Sequence, residues 1–566
     1  MRRFLLPLAF LLASCTSVAP PAAPAQGFDT IIRGGTIVDG SGAAPFAGDV
    51  GISNDRIVAV APRLEGTASQ VLDARGLAVA PGFINMLSWA NESLIEDGAG
   101  ESDIRQGVTL EVMGEGWSMG PFNEEMVRLE TERQADIRYA IDWRTLGQYL
   151  AKMERRGIAP NIASFVGATT VRVHRLGEGD VDPSPTQLKA MQNDVRFAMN
   201  EGAFGVGSSL IYAPAFYAET PELIALATAS ADCGGMYISH IRNESDQLLE
   251  AIDELITIAR ESGGPAEIYH LKQAGRGNWG KLDAVIARVE AARAAGIRIT
   301  ADMYTYVAGA TGLDAAMPPW VQAGGYEQWA ERLKDPKIRA RVLAEMRSRP
   351  VGWESLYWQA GSADKLLLIG FKNEKLKPLT GKTLAEVARM RGVSPEDAAI
   401  DLVIEDGSRV ATAYFLMDEA NVARQVALPW MAFDSDAAAQ APRGVFLKSS
   451  VHPRAYGNFA RLLGKYAREE KRVTLQEAVR RLTSFPATNL GIKDRGLVQP
   501  GMMADLAIFD PATIADQATF DNPQQFAVGM RHVFVNGQAV LRDGQMTAVR
   551  PGRAVLGPGT GRCPAQ

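Results

Sequence analysis

"GGMYISH" (residues 234–240) and "PAEIYH" (residues 265–270) are two apolar runs that each end in a histidine. Similar runs end near residues 209 and 302, and helical patterns separate them. The interval of about thirty residues is the length of one strand-plus-helix unit. Repeated units of this kind form a parallel sheet, either a closed barrel or a doubly wound sheet. No dinucleotide-binding fingerprint follows any of these strands, which favours an α/β fold with a (β/α)8, TIM-like barrel.

The two ends of the chain have a different pattern. Residues 28–82 alternate as short strands separated by turn residues, and the same pattern returns in residues 499–556. We therefore expect one discontinuous β-rich domain made from both ends, with the barrel in residues 83–498. The next strong strand signal after residue 302, "QVALPWMAFDSD", begins only at residue 425. Residues from about 310 to 420 are too many for one loop and are predicted to be an inserted cap.

Composition limits the classes of partner. The 566 residues carry a formal net charge of -6, with 46% hydrophobic and 22% charged residues. These values are typical of a globular protein and argue against disorder or a coiled coil. A net negative charge gives no electrostatic basis for binding nucleic acid. A small-molecule ligand is therefore the expected partner.

The chain starts with the features of an export signal: two arginines, then an apolar stretch too short to span a bilayer. Residues 12–15, "LASC", resemble the bacterial lipobox, whose cysteine is acylated. Residues 1–15 are thus predicted to be a lipoprotein signal peptide and residues 16–27 a Pro/Ala-rich tether. An ordinary secretory signal is the alternative. The residue after Cys15 is Thr16 and not the aspartate that resembles an inner-membrane retention signal. We therefore expect a lipid anchor in the outer membrane, on the periplasmic side.

Two further cysteines, Cys233 and Cys563, remain in the mature part of the chain. Two cysteines do not make a disulfide framework. In an oxidising compartment, however, they can pair with each other.

His240 and His270 are the first candidates for chemistry. Each stands at the end of a predicted strand, and neighbouring strand ends of a parallel barrel open at the same face. The two imidazoles are therefore expected to meet there and to bind a metal ion such as zinc. The alternative is two unrelated histidines hydrogen-bonded at loop edges. The chain has only five histidines, and His174, His452 and His532 lack this arrangement.

Two carboxylates complete the candidate site. Asp436 ends the late strand, and a carboxylate at a barrel mouth can take a proton from water and deliver it to a leaving amine. It can equally be a helix N-cap. Glu115 lies between Gly114 and Gly116 at the end of another predicted strand. It is either placed for close approach to a ligand or an exposed turn residue.

Several stretches together resemble the D-aminoacylase (N-acyl-D-amino-acid deacylase) branch of the amidohydrolase superfamily, over nearly the whole mature chain. They include "SDIRQGVTLEV" (102–112), "GGMYISHIRNE" (234–244), "HLKQAGRGNWGK" (270–281), "ADMYTYVAG" (301–309) and "HPRAYGNFARLLGKYARE" (452–469). The resemblance implies a (β/α)8 barrel with a β-sandwich formed by both chain ends. It also implies a metal-dependent hydrolase that cleaves the amide bond of N-acyl-D-amino acids.

Metal and catalytic residues can be transferred from the resemblance position by position. His240 and His270 match the family's pair of histidine ligands, and Asp436 matches its catalytic aspartate. Glu115 lies near the place where many members have a bridging cysteine, although the turn is one residue shorter here. A carboxylate oxygen is an acceptable zinc ligand in place of a thiolate.

Substrate-binding residues follow in the same way. Lys272, Tyr212 and Arg454 match positions that hold the carboxylate of the substrate's amino-acid part in similar enzymes. The planar guanidinium of an arginine suits that task.

One segment departs from the family pattern. The family has His-x-His after "PGFID", whereas this chain continues "PGFINMLSWAN", with Leu87 and Trp89 in the two histidine positions. Neither residue can bind zinc, so one zinc per chain is expected, although imidazole plus carboxylate also suits other divalent ions. Trp89 is expected to contact the substrate's acyl group or to belong to the core. A barrel that binds a D-amino-acid derivative without cleaving it, and a hydrolase of cyclic amides, remain alternatives.

Overall fold

The computed structural model describes residues 27–563. The predicted signal peptide and all but the last residue of the predicted tether lie outside the described residues. Among residues 27–563, no helix combines the length and the apolarity needed to cross a membrane.

Five strands open the described chain. They are β1 (Gly27–Ile37), β2 (Phe46–Ser53), β3 (Arg56–Ala61), β4 (Thr67–Asp73) and β5 (Ala78–Pro81). Buried and exposed residues alternate at both ends of β1, as expected for a strand with one face on a core.

The barrel follows directly. Its strands are β6 (Phe83–Asn85), β7 (Val108–Met113), β8 (Asn161–Ser164), β9 (Val166–Gly167), β10 (Gly205–Ser209), β11 (Met236–His240), β12 (Ala266–Ile268) and β13 (Ile299–Ala301). All neighbouring pairs are parallel. Strands β8 and β9 are two parts of one barrel position, interrupted at Phe165. Every residue of β10 and β11 is buried, which is typical of a parallel sheet covered on both faces.

Residues 431–437 occupy the eighth barrel position. A parallel bridge joins Met431 to Ala301 at the end of β13, and a second bridge joins Ala437 to Ser88 just after β6. These two contacts close the barrel, and the prediction of a (β/α)8 fold is confirmed.

Helices connect the barrel strands. They are α1 (Asn91–Glu96), α2 (Glu101–Ile104), α3 (Glu124–Arg133), α4 (Leu146–Arg156), α5 (Ala168–Leu176), α6 (Pro185–Asn200), α7 (Thr220–Ala231), α8 (Leu248–Ser262) and α9 (Leu282–Ala294). Residues of α1 and α3 also line a cavity at the barrel mouth. Local chemistry sets their starts: α6 begins at Pro185 behind Ser184, whose side chain accepts a hydrogen bond from the backbone N–H of Gln187.

The segment between β13 and the eighth position forms a cap with its own sheet and its own hydrophobic cluster. Its strands β14 (Ala308–Gly312), β15 (Leu366–Gly370) and β16 (Ala411–Phe415) are antiparallel in the order β14-β16-β15. Its helices are α10 (Pro319–Gln322), α11 (Tyr326–Arg332), α12 (Pro336–Met346), α13 (Leu356–Ala360), α14 (Leu384–Arg391) and α15 (Pro395–Asp406), and α16 (Glu419–Gln425) leads back to the barrel.

The rest of the chain completes the barrel and the sheet domain. Helices α17 (Arg454–Arg461), α18 (Leu475–Leu482) and α19 (Ser484–Leu490), with a π-helical segment at Leu462–Glu469, complete the helical ring. Strands β17 (Leu506–Phe509), β18 (Met530–Val535), β19 (Gln538–Arg542) and β20 (Gln545–Met546) join β1–β5 in one nine-stranded sheet, in which β17 pairs with β5. Both chain ends thus build the sheet domain, as the sequence predicts.

The C-terminal segment runs along the barrel at the end opposite the strand carboxyl ends. The backbone N–H of Val555 donates to Ile162 O, and that of Gly557 donates to Gly202 O. A disulfide joins Cys563 to Cys233, just before β11. The two cysteines that the sequence allows to pair are therefore bonded in the structure.

Candidate metal centre

His240 and His270 lie together at the carboxyl ends of β11 and β12. The ring centroids are 4.6 Å apart and the rings are nearly perpendicular. Both side chains are buried. The backbone of His270 has a φ of +33°, a conformation that costs a non-glycine residue about 1 to 3 kcal/mol and persists only where the surroundings enforce it.

Glu115 joins this pair from the end of β7. Its Oε1 lies 3.1 Å from His240 Nδ1 and 3.2 Å from His270 Nε2. The turn is possible because Gly114 and Gly116 have φ angles of +107° and +67°, and a Cβ on Gly114 would lie 2.3 Å from the carbonyl oxygen of Phe165. Glu115 is therefore not the exposed turn residue that the sequence left open; it is buried.

The three side chains fit a zinc ion. One ligand atom from each of Glu115, His240 and His270 lies within 4.8 Å of the others. Two imidazole nitrogens and a carboxylate oxygen are a usual donor set for catalytic zinc, with a fourth position left for water. Although burial alone would raise the pKa of Glu115, the hydrogen bonds from the two histidines lower it to about 2. A buried charged carboxylate is stable only when it is paired or bound to a metal, and here two imidazoles flank it.

Glu244 stands behind the two histidines, in a role that the sequence did not predict. Its Oε1 lies 3.2 Å from His270 Nδ1, and its Oε2 lies 3.5 Å from His240 Nε2. Lys272 Nζ is 2.7 Å from the same Oε1 and 2.7 Å from His270 Nδ1. Burial would raise the pKa of Glu244, but His240, Lys272 and His270 outweigh it and hold the pKa well below its usual range.

This second carboxylate determines which imidazole nitrogens face the metal position. A carboxylate behind a metal-binding histidine fixes the orientation of the ring and raises its basicity. The nitrogens that face Glu115 are Nδ1 of His240 and Nε2 of His270, and the opposite nitrogens face Glu244. The only sequence signal for Glu244 is its place four residues after His240 in "SHIRNE".

Asp436 lies on the other side of the barrel mouth, beside the segment that follows β6. Its Oδ1 accepts from the indole Nε1–H of Trp89 at 3.0 Å, and its Oδ2 is 2.8 Å from Arg454 Nη2. The backbone φ of Asp436 is +42°, again in the left-handed region. No α-helix starts at Asp436, so it is not a helix N-cap. Leu87 is fully buried beside it.

A cavity of about 810 Å³ connects the two sides and extends under the cap. The cavity is lined by all of the site residues predicted from the sequence: Trp89, Glu115, Tyr212, His240, His270, Lys272, Asp436 and Arg454. The ring of Tyr212 packs edge-on against His240 with centroids 5.2 Å apart. Arg409, from the cap, places its guanidinium 4.9 Å from the centre of the Tyr212 ring.

Arg454 lines the cavity with part of its hydrogen-bonding capacity unused among the described residues. Its side chain is buried, and its Nε and Nη1 have no hydrogen-bond partner among the described residues. The backbone N–H of Arg454 donates to His452 Nδ1, and His452 Nε2 lies 2.9 Å from Ala308 O. Burial and the charge of Arg454 hold the pKa of His452 well below its ordinary value, so this ring is neutral and carries its proton on Nε2.

Three residues of this region were therefore missed by sequence reasoning: Glu244, His452 and Arg409. His452 opens the quoted stretch "HPRAYGN" and is separated from Arg454 by one residue, which is a possible signal. Arg409 lies in the predicted cap, and no pattern in the sequence connects it with the barrel mouth.

Comparison with known proteins agrees with this geometry. The model of the Amidohydrolase family matches residues 70–541. An N-acyl-D-glutamate deacylase of Alcaligenes xylosoxydans xylosoxydans is 31% identical over 529 residues, which cover 93% of this chain and 96% of that protein.

Two solved structures have the same architecture. The N-acyl-D-glutamate deacylase of Bordetella bronchiseptica, complexed with zinc and a phosphonate inhibitor that mimics the tetrahedral intermediate, has a TM-score of 0.76 at 30% identity, covering 94% of this chain and 100% of that chain. A D-aminoacylase has a TM-score of 0.75 at 31% identity, covering 93% and 99%. That D-aminoacylase has a binuclear metal centre, in which one metal activates the enzyme and a second metal attenuates it.

Proposed function

The chain belongs to the amidohydrolase family, and we propose that it hydrolyses the amide bond of N-acyl-D-amino acids with one divalent metal ion, zinc being the best fit. The observation that carries the proposal is the triangle of Glu115, His240 and His270 at the wall of a cavity that also holds Asp436 and Arg454. The relatives that act on N-acyl-D-glutamate and the D-aminoacylase supply the substrate class.

The metal position follows from the ligand triangle. Glu115, His240 and His270 would hold the ion, and Glu244 would keep both imidazoles in the required orientation. When bound, zinc supplies Lewis acidity toward a carbonyl and lowers the pKa of water. One ion per chain is proposed because Leu87 and Trp89 offer no ligand atoms on the opposite side.

Asp436 is the proposed acid–base residue. It accepts a proton from the water that attacks the amide carbonyl and delivers that proton to the amine that leaves, so that the free acid and the D-amino acid are the products. Two donors, Trp89 Nε1–H and Arg454 Nη2–H, hold its two oxygens.

Arg454 is also the proposed anchor for the substrate's carboxylate. The partnerless Nε and Nη1 are buried at the cavity, where a carboxylate would satisfy them through charge-assisted hydrogen bonds. Tyr212 and Lys272 line the same cavity and remain predicted contributors, although Lys272 already contacts Glu244 and His270.

The cellular address is part of the proposal. The lipobox-like residues 12–15 support an exported, lipid-anchored protein on the periplasmic side of the outer membrane. The Cys233–Cys563 disulfide supports an oxidising compartment. D-amino-acid derivatives released in that compartment are the proposed substrates.

The test is hydrolysis combined with metal analysis. Purified wild-type protein is expected to contain one zinc per chain and to release D-amino acids from a panel of N-acetyl-D-amino acids, but not from the L-isomers. Asp436→Asn is expected to keep the zinc and to lower kcat by about 100- to 10,000-fold, because it cannot take the proton.

Asp406→Asn is a matched control, since Asp406 is a buried cap carboxylate that accepts hydrogen bonds from the backbone N–H groups of Lys372 and Asn373 and is not among the residues that line the cavity. It is expected to retain wild-type kcat. A metal-free wild-type protein that binds the panel without cleaving it would instead support the non-catalytic alternative. Cleavage of cyclic imides alone would support the cyclic-amide alternative.

A further inference from the structure

The segment that replaces the family's two histidines is hydrogen-bonded to the turn that carries Asp436. The backbone N–H of Asp436 donates to Leu87 O at 3.0 Å, and that of Trp89 donates to Ala437 O at 3.0 Å. The side chain of Asn85 accepts from the backbone N–H of Ser435 at 2.9 Å. We call these residues, 85–89 and 435–437, the β6 seam.

Side chains extend the β6 seam to the carboxylate itself. Trp89 Nε1–H donates to Asp436 Oδ1, and Arg454 Nη2 contacts Asp436 Oδ2. Both carboxylate oxygens are thus held, on a residue whose left-handed backbone also needs external support. Leu87 fills the remaining space as a fully buried side chain.

We propose that Trp89 is a positioning residue for Asp436. Its indole N–H donates a hydrogen bond to Asp436 Oδ1 and thereby orients this carboxylate on the β6 side of the barrel mouth. The inference rests on the proposed deacylase function. It differs from the expectation that Trp89 acts by pressing on the acyl group: the ring lines the cavity, but its only polar atom is used on Asp436.

The chemistry requires such a restraint. Asp436 must accept a proton on one side and deliver it on the other, so its plane has to stay aligned with the metal position. With Arg454 as its only partner, the carboxylate would be held at Oδ2 alone and could still turn, which would move Oδ1. A second donor on Oδ1 fixes the plane without adding a charge.

Trp89→Phe tests the role of the N–H, because it removes the donor and keeps a flat apolar ring. The kcat is expected to fall roughly ten- to hundredfold, the equivalent of one hydrogen bond to a charged group. KM and the zinc content are expected to stay at wild-type values. Trp143→Phe is the matched control, because its buried indole N–H also donates to a protein oxygen, Met119 O at 2.9 Å, without lining the cavity. It is expected to keep kcat.

A second measurement does not depend on activity. In protein labelled with ¹⁵N-tryptophan, the Trp89 indole signal, identified by its absence in Trp89→Phe, is expected to shift when Asp436→Asn weakens the acceptor, while the other indole signals keep their positions. A Trp89→Phe variant with wild-type kcat, or an indole signal that does not respond to Asp436→Asn, would overturn the inference. A wild type without deacylase activity but with a responsive indole signal would overturn the proposed function and leave the positioning contact supported.

Discussion

The two sides of the barrel mouth hold their charged side chains by different kinds of contact. On the side of β11 and β12, Glu115, His240 and His270 surround the candidate metal position, with Glu244 behind it. On the side of β6, the corresponding positions hold Leu87 and Trp89, and hydrogen bonds take the place of metal ligands. The difference shows that charged side chains at one barrel mouth can be held by imidazoles on one side and by backbone, indole and guanidinium donors on the other.

The largest effect is expected from removing a ligand on the β11–β12 side. His270→Ala takes away one of the three proposed protein ligands and should abolish stable zinc binding and, with it, amide hydrolysis. The measurement is zinc per chain after dialysis, together with activity. Leu87→Ala is the comparison on the other side: it creates a cavity that costs about 2 to 5 kcal/mol of stability but should leave the zinc content unchanged. Loss of zinc in Leu87→Ala would show that the two sides are not independent.

An intermediate effect is expected from the carboxylate behind the histidines. Glu244→Gln keeps the shape but removes the charge that faces both imidazoles, so zinc affinity should fall about 10- to 100-fold. Competition with a chelator measures the affinity. Glu396→Gln is the control, because Glu396 is a buried carboxylate of the cap that accepts from Tyr357 and pairs with Arg347 away from the mouth. Equal affinities for Glu244→Gln and the wild type would assign the orientation of the rings to other contacts.

The fold and half of the site could be predicted because they depend on local patterns. Strand runs that recur with a constant spacing predict the barrel, and the position of His240 and His270 at successive strand ends predicts that they meet. Asp436 could be placed at the mouth for the same reason, since it follows the strand that closes the barrel.

The rest depends on contacts between distant parts of the chain. Trp89 and Asp436 are separated by 347 positions, and nothing local to Trp89 shows that its N–H has a partner there. Glu244 is close to His240 in sequence, but its contact with His270 depends on the path of the loop after β11. Arg409 reaches Tyr212 only because the cap folds over the barrel, and the internal arrangement of the cap has no repeat from which it could be predicted.

The smallest effect is expected from restoring ligands on the β6 side. In Leu87→His with Trp89→His, two imidazoles separated by one residue stand in the segment that is hydrogen-bonded to the turn carrying Asp436. A second zinc per chain should then bind at high zinc concentration, more weakly than the first, because the surrounding β6 seam is built for hydrogen bonds and not for metal. Stoichiometry by metal analysis is the measurement, with Trp89→Phe as the control that should stay at one zinc. If the wild type itself bound two zinc ions, the assignment of this side to hydrogen bonding alone would be wrong, and excess zinc should then change its activity.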